Sequence, residues 1–338
     1  MKYKLIILLI ATISLSTFSF AQDIHFSQFY LTPLTLNPAL TGHYDADWRI
    51  MHNYRNQWNA IMPVPFQTIS LGFDRQMYLH NEKFSGGIFM IYDNSGSAVL
   101  TVAKIFLSFA WHKKIGQSYL HLGIQGGPVM KSINSGNLTY PSQWSIDSRD
   151  FVSSLPSQEG SHGEQIIYPD LNFGVMWSKN LKSFKPEIGV SLFHLTMPQE
   201  AFFGGNNRLP IRSAVYAAIR IDVGKKLFFK PHLLYMGHKK ATDLVGGTNF
   251  GLYLGDNRIK MRTVYIGAMV RNNFTSEMDA GIGIIGCTFD HLEIGFSYDV
   301  NVSSLHSATG YRGAFEVAII FTSASSIIEK ITVPCTRF

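Results

Sequence analysis

After Ala21 the apolar residues never run together for the roughly 18 positions that a membrane-spanning helix needs, yet they recur at every second position over stretches far longer than ordinary strands. In 292–300 one face reads Leu292, Ile294, Phe296, Tyr298 and Val300, and the other Glu293, Gly295, Ser297 and Asp299. In 311–321, Tyr311, Gly313, Phe315, Val317, Ile319 and Phe321 oppose Arg312, Ala314, Glu316, Ala318 and Ile320. Leu171, Phe173, Val175 and Trp177 oppose Asp170, Asn172, Gly174 and Ser178, and Leu120, Leu122 and Ile124 oppose His121, Gly123 and Gln125. This is the period of a strand with unlike faces. The same pattern predicts strands near 47–55, 65–76, 84–94, 101–113, 118–132, 170–180, 185–195, 211–223, 226–238, 243–255, 259–271, 276–288, 290–300 and 311–322. Soluble strands usually hold about 5–6 residues, whereas a tilted membrane-crossing strand needs about 9–11. A sheet edge in hydrocarbon leaves backbone groups unpaired at several kcal/mol each, so such strands must close on themselves. The fold expected is therefore all-β: a transmembrane antiparallel β-barrel of about 14 strands.

Composition agrees with strands that alternate between lipid and interior. Hydrophobic residues make up 46% of the chain and charged residues only 15%, against about a quarter charged in soluble domains. A large soluble β-sandwich or propeller is the competing class. The N-terminus argues for export: Lys2 and Lys4 precede a mostly apolar stretch, and Ser19-Phe20-Ala21 forms a small-x-small cleavage site before Gln22, the layout of a signal peptide over 1–21. Removing the two lysines lowers the formal charge from +6 to +4, and no basic cluster suggests nucleic acid. Connections alternate in length. Short turns are expected at 117, 181–184, 224–225, 256–258 and 289, and long ones at 133–169, 196–210 and 301–310, with 77–83 and 272–275 as exceptions. In outer-membrane barrels the short turns are periplasmic, which predicts both termini on that side.

No residue set points to catalysis or to a bound metal or cofactor. Gly281-Ile282-Gly283-Ile284-Ile285-Gly286 spells GxGxxG, but a dinucleotide fingerprint opens a helix and this one lies inside a strand, so its glycines are expected to be interior or closely packed. HExxH, GxSxG and CxxC do not occur, and the histidines have no metal-ligand spacing. A barrel hydrolase would have to assemble Ser, His and Asp from separate strands at the rim. Glu293, Asp299, Arg312 and Glu316 are expected to form interior ion pairs. Tyr30, Tyr44, Trp48, Tyr54, Trp58, Trp111, Trp144 and Trp177 fit aromatic belts or loop packing. Cys287 and Cys335 could bond in an oxidising compartment or remain two thiols.

The segment after the cleavage site cannot be a wall strand, because Pro33 and Pro38 remove ladder donors. It is expected to be a periplasmic or lumenal segment over 22–46, acting as simple packing or as a plug. It reads Gln22-Asp23-Ile24-His25-Phe26-Ser27-Gln28-Phe29-Tyr30, then Leu36-Asn37-Pro38-Ala39, followed by Asn53-Tyr54-Arg55-Asn56-Gln57-Trp58. Together with Ser191-Leu192-Phe193-His194, Tyr298-Asp299-Val300-Asn301, Gly310-Tyr311-Arg312-Gly313 and the tail Cys335-Thr336-Arg337-Phe338, it resembles the PorP/SprF family of type IX secretion system outer-membrane proteins. Thr336 stands where that family's ending leads one to expect proline. The resemblance implies an outer-membrane barrel at 47–322 with a periplasmic tail at 323–338. It also implies a non-catalytic role in receiving, anchoring or displaying a secreted surface protein that carries a C-terminal sorting domain, alongside the type IX machinery. Phe26, Ser27, Gln28, Phe29, Tyr30, Asn37, Pro38, Tyr54, Arg55 and Trp58 carry the family pattern. The alternative is an outer-membrane channel or transporter for small solutes.

Overall fold

The computed structural model describes residues 24–326, apart from 60, 63, 81, 97–99, 135–138, 153, 157–164, 203–206, 239–240, 256–259 and 274–277. Fourteen strands form one closed barrel: β1 (Trp48–Gln57), β2 (Phe66–Leu79), β3 (Glu82–Ser95), β4 (Leu100–Ile115), β5 (Ser118–Ser132), β6 (Gln165–Lys179), β7 (Phe184–Phe193), β8 (Arg212–Val223), β9 (Leu227–His238), β10 (Ala241–Tyr253), β11 (Met261–Asn273), β12 (Met278–Phe289), β13 (Leu292–Asn301) and β14 (Arg312–Thr322). Each pairs antiparallel with its sequence neighbours, and β14 closes on β1, with Arg55 opposite Glu316. All fourteen coincide with segments read from the alternation.

Burial follows that alternation. Phe250, Ile266, Ile285 and Phe296 stand exposed on the outer face. Their neighbours Asn249, Ile284 and Ser297 are buried toward the interior. The outer row is an apolar band of the kind that lipid covers.

Several boundaries move. β2 and β3 reach Leu79 and Glu82, so the turn expected at 77–83 shrinks to 80–81. β6 starts at Gln165, which shortens the longest loop to 133–164; within it Trp144–Ser145 pairs with Asp150–Phe151. The connection expected at 256–258 spans 254–260. Gly281 and Gly283 face outward into open space, while the side chains of Ile282 and Ile284, which follow them, are buried. The expectation of interior or closely packed glycines holds only for Gly286, where an added Cβ would lie 2.2 Å from Tyr265 Cζ.

β1 begins and β14 ends at the short-turn end. There Ser323 Oγ accepts hydrogen bonds from the Asp47 and Trp48 amides (3.0 and 3.1 Å), and Ser326 N–H donates to Asp47 Oδ1 (2.9 Å). Hydrogen bonds from Ser326 hold the Asp47 carboxyl below its ordinary range. The rest of the tail, with Cys335 and the proposed Cys287–Cys335 bond, lies outside the described residues, as does the signal segment 1–21. Cys287 is partly exposed on β12.

The face assignment yields a test. Phe296→Arg places a charge on the lipid face and should cost the barrel about 2–4 kcal/mol at mid-bilayer, read as a lower urea midpoint for refolding into vesicles. Ser297→Arg faces a filled interior, so its damage should appear in the lumen and leave the wall inserted.

Candidate functional site

The barrel lumen is occupied by residues 24–46. Three short turns of helix (Phe29–Leu31, Pro33–Leu36 and Pro38–Leu40) fold this segment into a compact plug. Its enclosure follows from its partners, which lie on strands all around the wall, from Met51 on β1 through Phe89 on β3, Tyr216 on β8 and Met269 on β11 to Glu316 on β14. The prolines that bar it from the wall set its shape: Pro33 and Pro38 each stand at the first position of a short helix, where a missing N–H costs nothing.

Two apolar clusters fill the space around it. Phe29, Leu36, Ala39 and Leu40 pack with Met176, Tyr216, Leu234, Met269, Ile282 and Ile284. Leu31 and Leu34 pack with Met51, Phe89, Phe106 and Val129 on the opposite wall. Tyr30 stacks on His232 with ring centres 4.4 Å apart. Tyr44 lies against Arg49 (4.4 Å) and donates to the Asp74 carbonyl (2.7 Å). Neither tyrosine belongs to an outer belt: Tyr30 lies in the lumen, which corrects the sequence expectation, and Tyr44 packs in the connection before β1, the loop packing given as the other expectation. The prolines that exclude this segment from the wall also bring the Tyr30 ring into the lumen.

Polar bonds bolt the plug down at three levels. Toward the long-loop end, Ser27 and Gln28 donate their backbone N–H groups to Glu316 of β14 (2.5 and 3.0 Å). Ser27 Oγ donates to Asp299 Oδ2 (2.8 Å). Arg55 pairs with both carboxylates and also donates to Ser27 Oγ (2.8 Å). Arg271 Nη1 reaches Asp299 Oδ2 at 3.1 Å, and its Nε reaches Asp279 Oδ2 at 2.6 Å. Arg55, Arg271, Asp299 and Glu316 are all buried, and two cations against two anions leave no uncompensated charge among them, the condition under which burial is tolerated.

At the middle level Asn37 is fully buried. Its Oδ1 accepts from Ala39 N–H (2.8 Å), and its Nδ2 donates to the Val175 and Val190 carbonyls on β6 and β7 (3.2 and 3.1 Å). Wall glycines permit this approach. An added Cβ at Gly174 would sit 1.9 Å from Asn37 Oδ1, and one at Gly123 would sit 2.2 Å from the Pro38 carbonyl carbon. Gln125 and Ser191 donate to the Leu34 and Leu36 carbonyls (3.1 and 2.9 Å).

Near the short-turn end Gly42 N–H donates to Asp74 Oδ2 (2.7 Å), and Asp74 is gripped in two-pronged fashion by Arg49 (3.0 and 2.7 Å). His43 pairs with Glu187 (3.1 Å), and its ring packs on His121 with centres 4.8 Å apart.

The segment thus rises through the lumen with its earliest residues uppermost. Ile24 and His25 line a cavity of about 1000 Å³ at the long-loop end, together with Arg55, Trp58, Lys131, Tyr168, Glu200, Phe202 and Arg271. Of the two expected termini at the short-turn end, only that of the wall lies there. Ile24 is at the opposite mouth, because the plug threads the barrel before β1 begins.

The family-pattern residues therefore separate. Phe26 and Phe29 are buried in the plug, Ser27, Gln28 and Arg55 meet at the upper bolt, Asn37 and Pro38 form the middle one, and Trp58 lines the mouth. Tyr54 lies apart, its ring tilted against Phe315 with centres 5.8 Å apart. Asp299 and Glu316 make the interior ion pairs foreseen for them. Glu293 accepts from Tyr265 OH (3.3 Å), and Arg312 lies exposed at the rim, its Nε donating to the Thr309 carbonyl (3.2 Å). Arg49, Asp74, Arg271, His43 and Glu187 were not singled out from sequence. The available signal for Arg49, Asp74 and Arg271 was a charge at an inward position of a long strand.

A closed barrel with an apolar outer band and a packed lumen is the architecture of a bacterial outer-membrane protein. The sequence profile described as type IX secretion system membrane protein PorP/SprF matches residues 18–321. The chain belongs to that family, and its place is the outer membrane. No curated protein matches the sequence. Among solved structures, the CymD monoaromatic hydrocarbon channel is similar at 9% identity and a TM-score of 0.48, over 87% of this chain and 93% of that one. The Ralstonia pickettii toluene transporter TbuX is similar at 7% identity and a TM-score of 0.46, over 85% and 91%.

The bolts can be loosened one at a time. Glu316→Gln leaves Arg55 facing a neutral partner in a buried site, and removing one member of such a pair costs about 3–5 kcal/mol. Gly174→Val drives Asn37 off the wall. Both should speed amide exchange across 24–40 while the strands stay protected; unchanged exchange in the plug would contradict the bonding described.

Proposed function

We propose that this barrel receives and anchors a secreted partner at the cell surface. The partner class is a surface protein with a C-terminal sorting domain, delivered by the type IX machinery. The observation that carries this reading is the plug. It is bonded to the wall at three levels, so the open end presents a cavity with a floor where a solute channel needs a way through. Short turns face the periplasm in barrels of this kind, which directs the cavity, Ile24 and the 133–164 loop outward. The wall on this reading is a scaffold. The family fold is in general non-enzymatic, and the buried charges have structural partners that account for them.

The reading is tested by what accompanies the protein from cross-linked native outer membranes. A large secreted protein bearing a sorting domain, together with secretion components, is the expected result; recovery of neither would overturn it. In planar bilayers the intact protein should not conduct, and deletion of 24–46 should open a pore. Conductance by the intact protein would favour the solute-channel alternative. A tag inserted just before Ile24 should be reached by antibody on intact cells, as should one in 153–160, whereas one at Lys225 should need permeabilised cells.

A further inference from the structure

At the long-loop end the wall is one strand short. β7 stops at Phe193, and its last pair with β6 is Leu192 with Phe173. β6 continues upward through residues 165–171, about 23 Å at roughly 3.3 Å per residue. β5 covers one edge of this overhang as far as Ser132 opposite Gln165. Along the other edge no strand is paired among the described residues, because β8 starts only at Arg212, level with Phe193.

The lower part of this edge is capped. Leu195 N–H donates to the Leu171 carbonyl (2.9 Å), Leu171 N–H donates to Asp170 Oδ1 (2.9 Å), and Thr196 Oγ1 donates to the Pro169 carbonyl (3.1 Å). Pro169 has no N–H to offer, a common guard on an exposed strand edge. His194 holds the chain here through Asp170 (2.7 Å) and through its N–H to Asn172 Oδ1 (3.1 Å). The chain then leaves: Met197 has φ 43°, and the hairpin that follows carries Glu200 to Lys131 across the mouth.

These bonds fix the phase of the overhang. The amide and carbonyl of Leu171 point away from β5, so those of Ile167 and Gln165 do as well. Ile167 is 66% exposed on the outer face, while Tyr168 is buried on the inner face and lines the mouth cavity. The guard thus ends at Pro169, four residues below Gln165 at the rim.

A row of backbone N–H and C=O groups is matched by another extended backbone and by little else. We propose that the β6 edge at 165–168 takes an extended segment of the secreted partner by strand addition, continuing the line of β7. Alternate side chains of that segment enter the cavity beside Tyr168 and Lys131. The others lie alongside Ile167 and are apolar, so the segment is a short proline-free run of alternating character. This assignment rests on the anchoring function proposed above and names the contact through which it works.

Ile167→Pro is the direct test, since it removes an N–H that the β5–β6 ladder does not use. The probe is a purified C-terminal sorting domain from a surface protein of the same cell, added to the purified full-length barrel. Binding should weaken about ten-fold or more with I167P and stay at the wild-type level with I167V, with heat-modifiable mobility unchanged in both. On the wild-type protein, the domain should slow amide exchange at Gln165 and Ile167 and leave Ile166 and Tyr168, already bonded to β5, unaltered. That measurement decides alone if I167P fails to assemble. Equal binding by I167P, or no slowing at Gln165 and Ile167, would overturn strand addition while leaving the anchoring function standing. Failure of the domain to bind the wild-type barrel would overturn both.

Discussion

The wall of this protein is governed by the need to pair every backbone N–H and C=O where no water can reach. Hydrocarbon offers no substitute partner, so the sheet must close, and β14 meets β1 continuously from Arg49 opposite Thr322 to Gln57 opposite Ala314. The departures from perfect pairing are informative for the same reason. Pro128 and Pro169 stand opposite each other near the long-loop end, and Pro186 sits at the lower end of the β6–β7 ladder. Each falls where a ladder is ending or already interrupted. The β7 shortfall is tolerated because the overhang of β6 rises toward the mouth, where water and loops can serve the bare edge.

Closure creates a second problem, an interior too wide for wall side chains alone to fill. The N-terminal segment answers it with apolar residues toward the two buried clusters and backbone polar groups toward inward-facing charges. Gln125, Ser191 and Asn37 supply the bonds that short helices cannot make for themselves. Burying four charges at the upper bolt is tolerable only because they are mutually paired and accept or donate to the plug as well. A lumen held this way is specific in a manner that a purely apolar filling would not be: the Glu316 and Asp299 carboxylates accept from the Ser27 and Gln28 amides and the Ser27 hydroxyl, and so fix where that part of the plug sits.

Much of the wall was legible in advance because period-2 alternation is local, and each strand declares its own faces without knowledge of its neighbours. The turn at 80–81 was misjudged because Met77, Tyr78 and Leu79 are apolar on both faces at the short-turn end and break the alternation there. The start of β6 was missed for a related reason: Pro169 reads as a strand stop, yet its missing N–H points to a side with no partner. The plug was recognisable as a segment barred from the wall, periplasmic or lumenal, but its partners were not. Those of Ser27 lie from 28 to 289 residues away in sequence, and no local pattern says that Ser27 will meet Glu316. Gly123 and Gly174 look like any other strand glycines until the backbone that passes over them is known. The family resemblance pointed to Ser27, Gln28, Arg55 and Asn37 but not to Arg49, Asp74 or Arg271, which lie outside its pattern and had to be found through geometry.

The upper bolt sits on the seam where the barrel closes. Arg55 and Glu316 are register partners across the β1–β14 junction, and the plug's Ser27 and Gln28 amides bond the same carboxylate. Asp299, one strand further on, accepts from Arg55 and from Ser27. The segment that precedes β1 in the chain therefore joins the first strand to the last two. Without it, the seam would enclose a carboxylate pair with Arg55 and Arg271 as their only donors. With it, each carboxylate gains a donor that is available only when the plug is inside. Filling the lumen and closing the wall therefore stabilise one another: the register that sets Arg55 opposite Glu316 presents the carboxylate that the plug amides bond, and those amides favour that register.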